Sequence, residues 1–265
     1  MAKPGVKKVS AVTAPAASSG MAAPSSKTHA ADLTFNEEIA LLLKLASAAP
    51  LLKFPERKSA AKLFELAVLA ELLLEYQTAT KGTVKLVQPN KGAHGTFAGS
   101  PASANKDKYA WFELSDSAGK VEAEAWVSVQ FVGLSAALAS KHLAPGAAVD
   151  SKASSHELDL TLIAPEPVGG TPRLYPQHTD LLAAVSVKHV SSLAKESIRE
   201  ALGFRREMGF YSGGFGRSAS RWLQANVPCI PPSPLFLVSS AENFDGYGGH
   251  IDQLGIYLGF MKFPY

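Results

Sequence analysis

The chain has 265 residues, enough for one domain or at most two and for a core that hides roughly 70–75% of the unfolded surface. Hydrophobic residues make up 46% and charged residues 18%, a balance that excludes collagen-like, coiled-coil and wholly disordered chains. A lone cysteine, Cys229, excludes a disulfide framework and a thiolate zinc site and suits a reducing compartment, while the net charge of +3 permits an anionic partner without demanding one.

Residues 1–32 are Ala, Ser, Pro, Lys and Thr without periodicity, and hold no acidic residue before Asp32. Such a segment cannot bury enough surface to offset its ordering entropy, and it reads as a disordered tail. Acid-poor and basic, it has one trait of a transit peptide, but it lacks arginine and an amphipathic face, and no secretory apolar stretch is present. The remainder, 33–265, reads as one domain. Leu33–Leu52 has helical spacing at Ile39, Leu42, Leu43 and Ala46. Glu56–Gln77 is the clearest helix, with Ala60, Leu63, Phe64, Ala67, Val68 and Leu72 at three- and four-residue steps and Thr80–Gly82 as its end.

The period then switches to two. Thr83–Val87 reads as a strand, 88–107 as a loop, and Tyr109–Leu114 and Val121–Phe131 as a hairpin with one dry face, joined by a turn at Asp116–Lys120. A short helix is expected over Leu134–His142. Glu157–Ile163 alternates as a strand, and Leu181–His189 is an apolar strand carrying one charge, Lys188. A helix over Ser191–Arg206 follows, with Leu193, Ile198, Ala201 and Leu202 inward. Leu235–Ser240 is another apolar strand, and Ile251–Phe263 fits either period. Helix, strands, then strand–helix–strand predicts an α/β fold, a mixed central β-sheet flanked by helices. No apolar run approaches the ~18 residues of a membrane span; Leu72–Leu74 and Leu235–Val238 are far too short.

Four features carry chemistry. Asp159 shares a strand face with Glu157 and Thr161, and paired carboxylates on one face repel unless water or a cation separates them; a solvated edge strand is the plain alternative. Lys188 ends an otherwise apolar strand just before a helix, where α/β proteins place ligand sites; a snorkelling lysine is the alternative. Glu196 and Glu200 share a helix face, flanked by Lys195 and Arg199, which also suits a solvated charged face. Glu65 lies among Ala61, Val68, Leu69 and Leu72, so it is either buried with a partner or marks the helix edge. From Lys188 to Arg221 seven basic residues stand against three acidic ones, a local +4 that exceeds the whole chain's +3. Arg199, Arg205, Arg206, Arg217 and Arg221, interleaved with Tyr211, Phe215 and Trp222, fit phosphate contact and base stacking; a generic basic surface is the alternative.

Several competitors fail. His156-Glu157 opens like a zinc-protease motif, but Leu160 stands where the second His belongs. Gly213, Gly214 and Gly216 form no phosphate-binding fingerprint, and Ser218 lies in no nucleophile elbow. Cys229 reads as a packed thiol, and turn chemistry accounts for the glycines between Asp245 and Asp252.

Together the four features resemble the PD-(D/E)XK nuclease superfamily, over about Lys62 to Arg206. In that family a helix carries a Glu, one strand ends in a metal-binding Asp, and the next carries an acid, any residue, then Lys before a closing helix. The resemblance maps these onto Glu65, Asp159 and Ser186-Val187-Lys188. Ser186 replaces the expected acid. A branch of type II restriction endonucleases has the same Ser-x-Lys and takes its second carboxylate from the following helix, which points here to Glu200, with Glu196 as the alternative. The resemblance implies a restriction-endonuclease-like fold with catalytic Asp159, Lys188, Glu200 and Glu65. It implies Mg²⁺, replaceable by Mn²⁺, on Asp159, Glu200 and the Val187 carbonyl, two carboxylates neutralising the charge that develops at a phosphodiester. It implies a DNA endonuclease of bacterial restriction or anti-phage defence, cytoplasmic, without a membrane, working as a homo-oligomer or as a subunit of a defence complex. The alternatives are a catalytically inert nucleic-acid-binding subunit, consistent with Ser186, and a purely structural α/β protein. The geometric expectation is that the strands of Asp159 and Lys188 adjoin, with their head groups about one hydrated cation apart.

Overall fold

Helix α1 (Ala60–Thr80) is apolar on most of its circumference, and Phe64, Leu66, Ala67, Val68, Leu69, Ala70 and Leu73 are all buried. It outlasts its sequence-predicted end by one turn because the Thr80 hydroxyl donates to the Tyr76 carbonyl at 2.8 Å. Lys81, at φ 57°, then leaves the helix in the left-handed region, and the Gly82 amide donates to Thr80 Oγ1. The computed structural model describes residues 60–89, 97–98, 102–140, 155–166, 173–211, 229–230, 233–243, 247 and 251–263, all within the compact unit Thr34–Tyr265. The expected tail, the Leu33–Leu52 helix, Phe215, Arg217, Trp222 and Arg221 lie outside the described residues.

Strands β1 (Thr83–Val87), β2 (Trp111–Ser115), β3 (Val121–Val132), β4 (Ser155–Ile163) and β5 (Leu181–Lys188) pair in sequence order, each antiparallel to the next. Helix α2 (Leu134–Ser140) sits between β3 and β4 in the chain. After β5, helix α3 (Lys195–Glu207) crosses over to β8 (Leu235–Ser239), which lies parallel to β5; β9 (Ile256–Phe260) adds in parallel at the edge. A two-residue ribbon, β6 (Phe210–Tyr211) with β7 (Cys229–Ile230), stands apart from this seven-stranded mixed sheet. The α/β class with a mixed sheet flanked by helices is thus as the sequence predicts. Among the described residues no helix is long and apolar enough to cross a membrane.

Each face of the sheet has its own core. One joins α1 to Phe112, Leu114, Ala125, Val127, Leu160, Val185 and Val187. The other joins α3, through Ile198 and Ala201, to Trp126, Val129, Phe131, Leu158, Ala184 and Leu237. The expected hairpin with one dry face is therefore corrected: Ala123–Val129 are buried without a break. The segment around Ala102 covers the second face, with the Ala102 amide donating to the Ser128 carbonyl and the Gln130 amide to the Ala102 carbonyl. Glu124 is tolerated inside because Lys106 Nζ lies 2.6 Å from it and Trp126 Nε1 3.1 Å.

The pleat slips at one level. On β3, Ala125 and Val127 belong to the α1 core, yet Val129 and Phe131 belong to the α3 core; between them Ser128 has φ 52°. On β4, Leu160 belongs to the first core and Leu158 to the second, with Asp159 between. Strict alternation would keep each set on one face, so both strands are turned at the Ser128–Asp159 level.

Helix α3 starts four residues later than the sequence suggests. The Leu193 amide donates to Asn243 Oδ1 at 2.7 Å and Leu193 is buried, which holds the approach extended up to Ala194. Leu202, expected inward, is exposed. Gly82 tests the α1–β1 corner: a Cβ there would lie 2.1 Å from the Ser115 carbonyl oxygen. Gly82→Ala is expected to destabilise by about 1–3 kcal/mol, the usual cost of overpacking, read as a lower urea midpoint with an unchanged slope.

Candidate functional site

The β4–β5 ladder ends at Leu160 opposite Val185. Beyond that pair a side chain takes over from the backbone: Asp159 Oδ2 accepts the Val187 amide at 2.7 Å. Asp159 thus caps the fork between the two strands. Lys188, the last residue of β5, is one residue further on. Asp159 and Lys188 therefore stand on adjoining strands, as expected. Burial pushes the Asp159 carboxyl above its ordinary range, against the pull of the Val187 amide and of the Lys188 and Lys62 ammoniums; Glu200 adds to the upward push.

The third group comes from α3. Lys188 Nζ lies 2.8 Å from Glu200 Oε2. The other helix candidate, Glu196, is one turn back with its side chain 76% exposed, beside Arg199 at 3.6 Å, whereas Glu200 is 45% exposed. Only one of two carboxylates about 5.4 Å apart along a helix can meet a fixed lysine, and the meeting falls to Glu200. Ser186 is buried and uncharged, so β5 brings no carboxylate of its own.

The fourth group lies across the sheet on α1. Glu65 is ion-paired with Lys62, three residues earlier on the same helix face. Of the two readings open in the sequence, burial with a partner is the one observed. Lys62 Nζ also lies 2.5 Å from Ser128 Oγ, and the Ser128 hydroxyl in turn supports Glu157. Burial holds the Glu65 carboxyl up at about 7, with Asp159 and Glu157 pushing the same way and Lys62 opposing. Glu157 is likewise raised, by burial first and Asp159 second. Lys62 and Ser128 are the residues sequence reasoning missed. The only linear signals were a lysine three residues before Glu65 and a hydroxyl inside an apolar strand.

Glu65, Glu157, Asp159 and Glu200 thus act on one another through a fork where both faces of the sheet meet. All are hard oxygen donors, three of them are held above their ordinary range, and Asp159 spends only one oxygen on Val187. That chemistry fits a small divalent cation. In the described residues the acids are interleaved with the Lys62 and Lys188 ammoniums, and no group of three His, Cys, Asp or Glu side chains is already gathered for a metal.

The basic residues divide. Arg199 and Arg206 are exposed on α3. Arg205, expected among the nucleic-acid contacts, is corrected: it is buried, its Nε donates to the Leu254 carbonyl at 2.8 Å, and its guanidinium packs on Gly255, which needs its φ of 72° there. It fastens α3 to the turn before β9. In comparison with known proteins, no family model, curated protein or solved structure matches this chain.

The raised Glu65 pKa has a signed consequence. Between the ordinary value of 4.5 and about 7 the folded chain keeps a proton that the unfolded chain has lost. Stability therefore falls as pH rises through that window. Glu65→Gln is expected to flatten that decline by up to about 3 kcal/mol, at roughly 1.4 kcal/mol per pKa unit. Urea unfolding of both proteins at pH 5, 6, 7 and 8 measures it; parallel curves would remove Glu65 as the cause.

Proposed function

We propose that the protein is a Mg²⁺-dependent DNA endonuclease with a restriction-endonuclease-like core of the PD-(D/E)XK kind. The observation that carries this reading is the meeting of Asp159, Lys188 and Glu200 at the β4–β5 fork, with Asp159 bonded to the amide next to Lys188 and Glu200 bonded to Lys188 itself. The order along the chain also supports it: a helix with Glu65, a strand with Asp159, an adjoining strand ending in Lys188, then a helix. The same resemblance points to bacterial restriction or anti-phage defence in the cytoplasm.

The chain's own groups divide the work. Mg²⁺, when held by Asp159, Glu200 and the Val187 carbonyl, supplies charge neutralisation at the phosphate and activates water. The Val187 amide holds Asp159 by one oxygen, which leaves the other for a cation. Lys188 is a point charge that orients the attacking water and draws the phosphate toward it. Glu200 holds that ammonium in place. The water oxygen bonds to phosphorus, the bond to the departing sugar oxygen breaks, the water's proton leaves to solvent, and the departing sugar oxygen takes a proton from solvent to leave as a hydroxyl. Arg199 and Arg206, exposed on α3, contact backbone phosphates on either side.

The test is cleavage of plasmid and single-stranded substrates in Mg²⁺ and in Mn²⁺ at fixed salt. Asp159→Ala, Lys188→Ala and Glu200→Ala are each expected to lose at least about 10²-fold in rate while keeping the wild-type circular dichroism spectrum. Glu196→Ala and Ser186→Ala are expected to stay within a few-fold of wild type. Equal losses at Glu196 and Glu200 would sink the assignment of the second carboxylate. A wild-type protein that cuts neither DNA nor RNA yet binds DNA with a steep salt dependence would be the inert nucleic-acid-binding subunit instead.

A further inference from the structure

The α1 side of the site holds a cation already. The Lys62 ammonium lies between the Glu65 carboxylate and the Ser128 hydroxyl, and its charge acts on Glu157 and Asp159 as well. It is not a solvated surface lysine: its side chain is 11% exposed and that of Glu65 14%. A distortion of β3 serves this position. Ser128 adopts a positive φ in mid-strand, an uncommon conformation for a residue that is not glycine, and the pleat turns there so that the residue reaches α1 rather than the opposite core. An ammonium is a compact charge with three donors, well matched to a small cage of oxygens.

From this arrangement we infer that Lys62 is a resident cation that occupies the α1 half of the carboxylate cluster and so limits the site to one divalent ion, on the α3 half with Asp159 and Glu200. The inference rests on the endonuclease reading for that single ion. Its physical basis is charge. Glu65, Glu157 and Asp159 are half-buried and act on one another, and carboxylates drawn together out of water need a positive partner. Lys62 supplies one from the chain itself. With Lys62 in place, a divalent ion at Glu65 and Glu157 would meet an ammonium already in contact with the Glu65 carboxylate and acting on Glu157. Without it, those oxygens would be left around an uncompensated space suited to a hard cation. Lys62 is thus a positioning residue: it fixes Glu65 and sets how many metal ions the acids accept.

The experiment is a calorimetric titration of Mn²⁺ into the full chain without nucleic acid. Wild type is expected to take one equivalent, lost in Asp159→Ala. Lys62→Met, close in shape but neutral, is expected to take two, while Lys62→Arg keeps one. Lys62→Met combined with Glu65→Gln is expected to return to one, because the freed carboxylate is gone. Should Lys62→Met be unfolded without metal, added Mn²⁺ is expected to refold it, and the double variant to fold without metal. One equivalent in both wild type and folded Lys62→Met would overturn the inference and leave the endonuclease reading standing, as would two equivalents in wild type. A Lys62→Met chain that stays unfolded in Mn²⁺ overturns it too. No Mn²⁺ bound by wild type would bring down both.

Discussion

Two strands cannot change the face they bury without breaking the alternation of their side chains, and β3 and β4 do so at one level. Ser128 and Asp159 stand where the apolar residues of both strands pass from the α1 core to the α3 core. The left-handed backbone at Ser128 costs on the order of 1 kcal/mol or more, and the surrounding cores hold it. The return is position. A regular pleat would commit Asp159 to one face of the sheet. Turned as it is, Asp159 feels Lys62 from α1, Lys188 from the end of β5 and Glu200 from α3 at once. The fork at Val187 follows from the same break, because the β4–β5 backbone ladder stops at Leu160 and the Asp159 carboxylate takes the next amide.

Charge arithmetic at the fork explains why so many groups must act together. Burial alone disfavours each ionised carboxyl, and proximity makes the penalty worse for every neighbour. The two ammoniums offset this from opposite sides, Lys62 against Glu65 and Lys188 against Glu200. The Lys62–Glu65 pair lies mostly out of solvent and is screened less than an exposed ion pair, whereas Glu200 is 45% exposed and its pair with Lys188 is screened more. The network around Lys106, Glu124 and Glu166 solves the same problem elsewhere. There one lysine bridges two acids and also lies 5.4 Å from the centre of the Trp111 ring.

Much of the scaffold was legible in the sequence, for a physical reason: an alternation or an unbroken apolar run announces a strand, though not the face each residue takes where the pleat turns at Ser128 and Asp159. Thr83–Val87 was read to the residue, and the adjacency of the Asp159 and Lys188 strands followed from their patterns. Glu200 and Glu196 were indistinguishable because they share one helix face, and only the position of Lys188 separates them. Lys62 escaped notice because its second partner, Ser128, is 66 residues away and reaches it through a backbone conformation no propensity encodes. Arg205 was misread for a similar reason. Its burial depends on Gly255, whose missing side chain leaves room for the guanidinium. The dry-faced hairpin failed because nothing near it in sequence signals that the Ala102 segment covers its other side.

The site is split in chain order as well as in space. Asp159, Lys188 and Glu200 fall within one continuous stretch, Ser155–Glu207, and their contacts close loops of modest length. Lys62 and Glu65 precede that stretch by about the length of three strands and a helix. Closing such a separation carries an entropic cost that grows with the logarithm of loop length, and contacts of high sequence separation form late. As the chain emerges from a ribosome, α1 therefore exists before the sheet that will cover it. Pairing its two opposite charges three residues apart gives the helix a self-neutral polar patch that needs nothing from the unsynthesised half. The same pair that later lies buried at the fork is a local contact first, available to the nascent helix before β3 and β4 arrive.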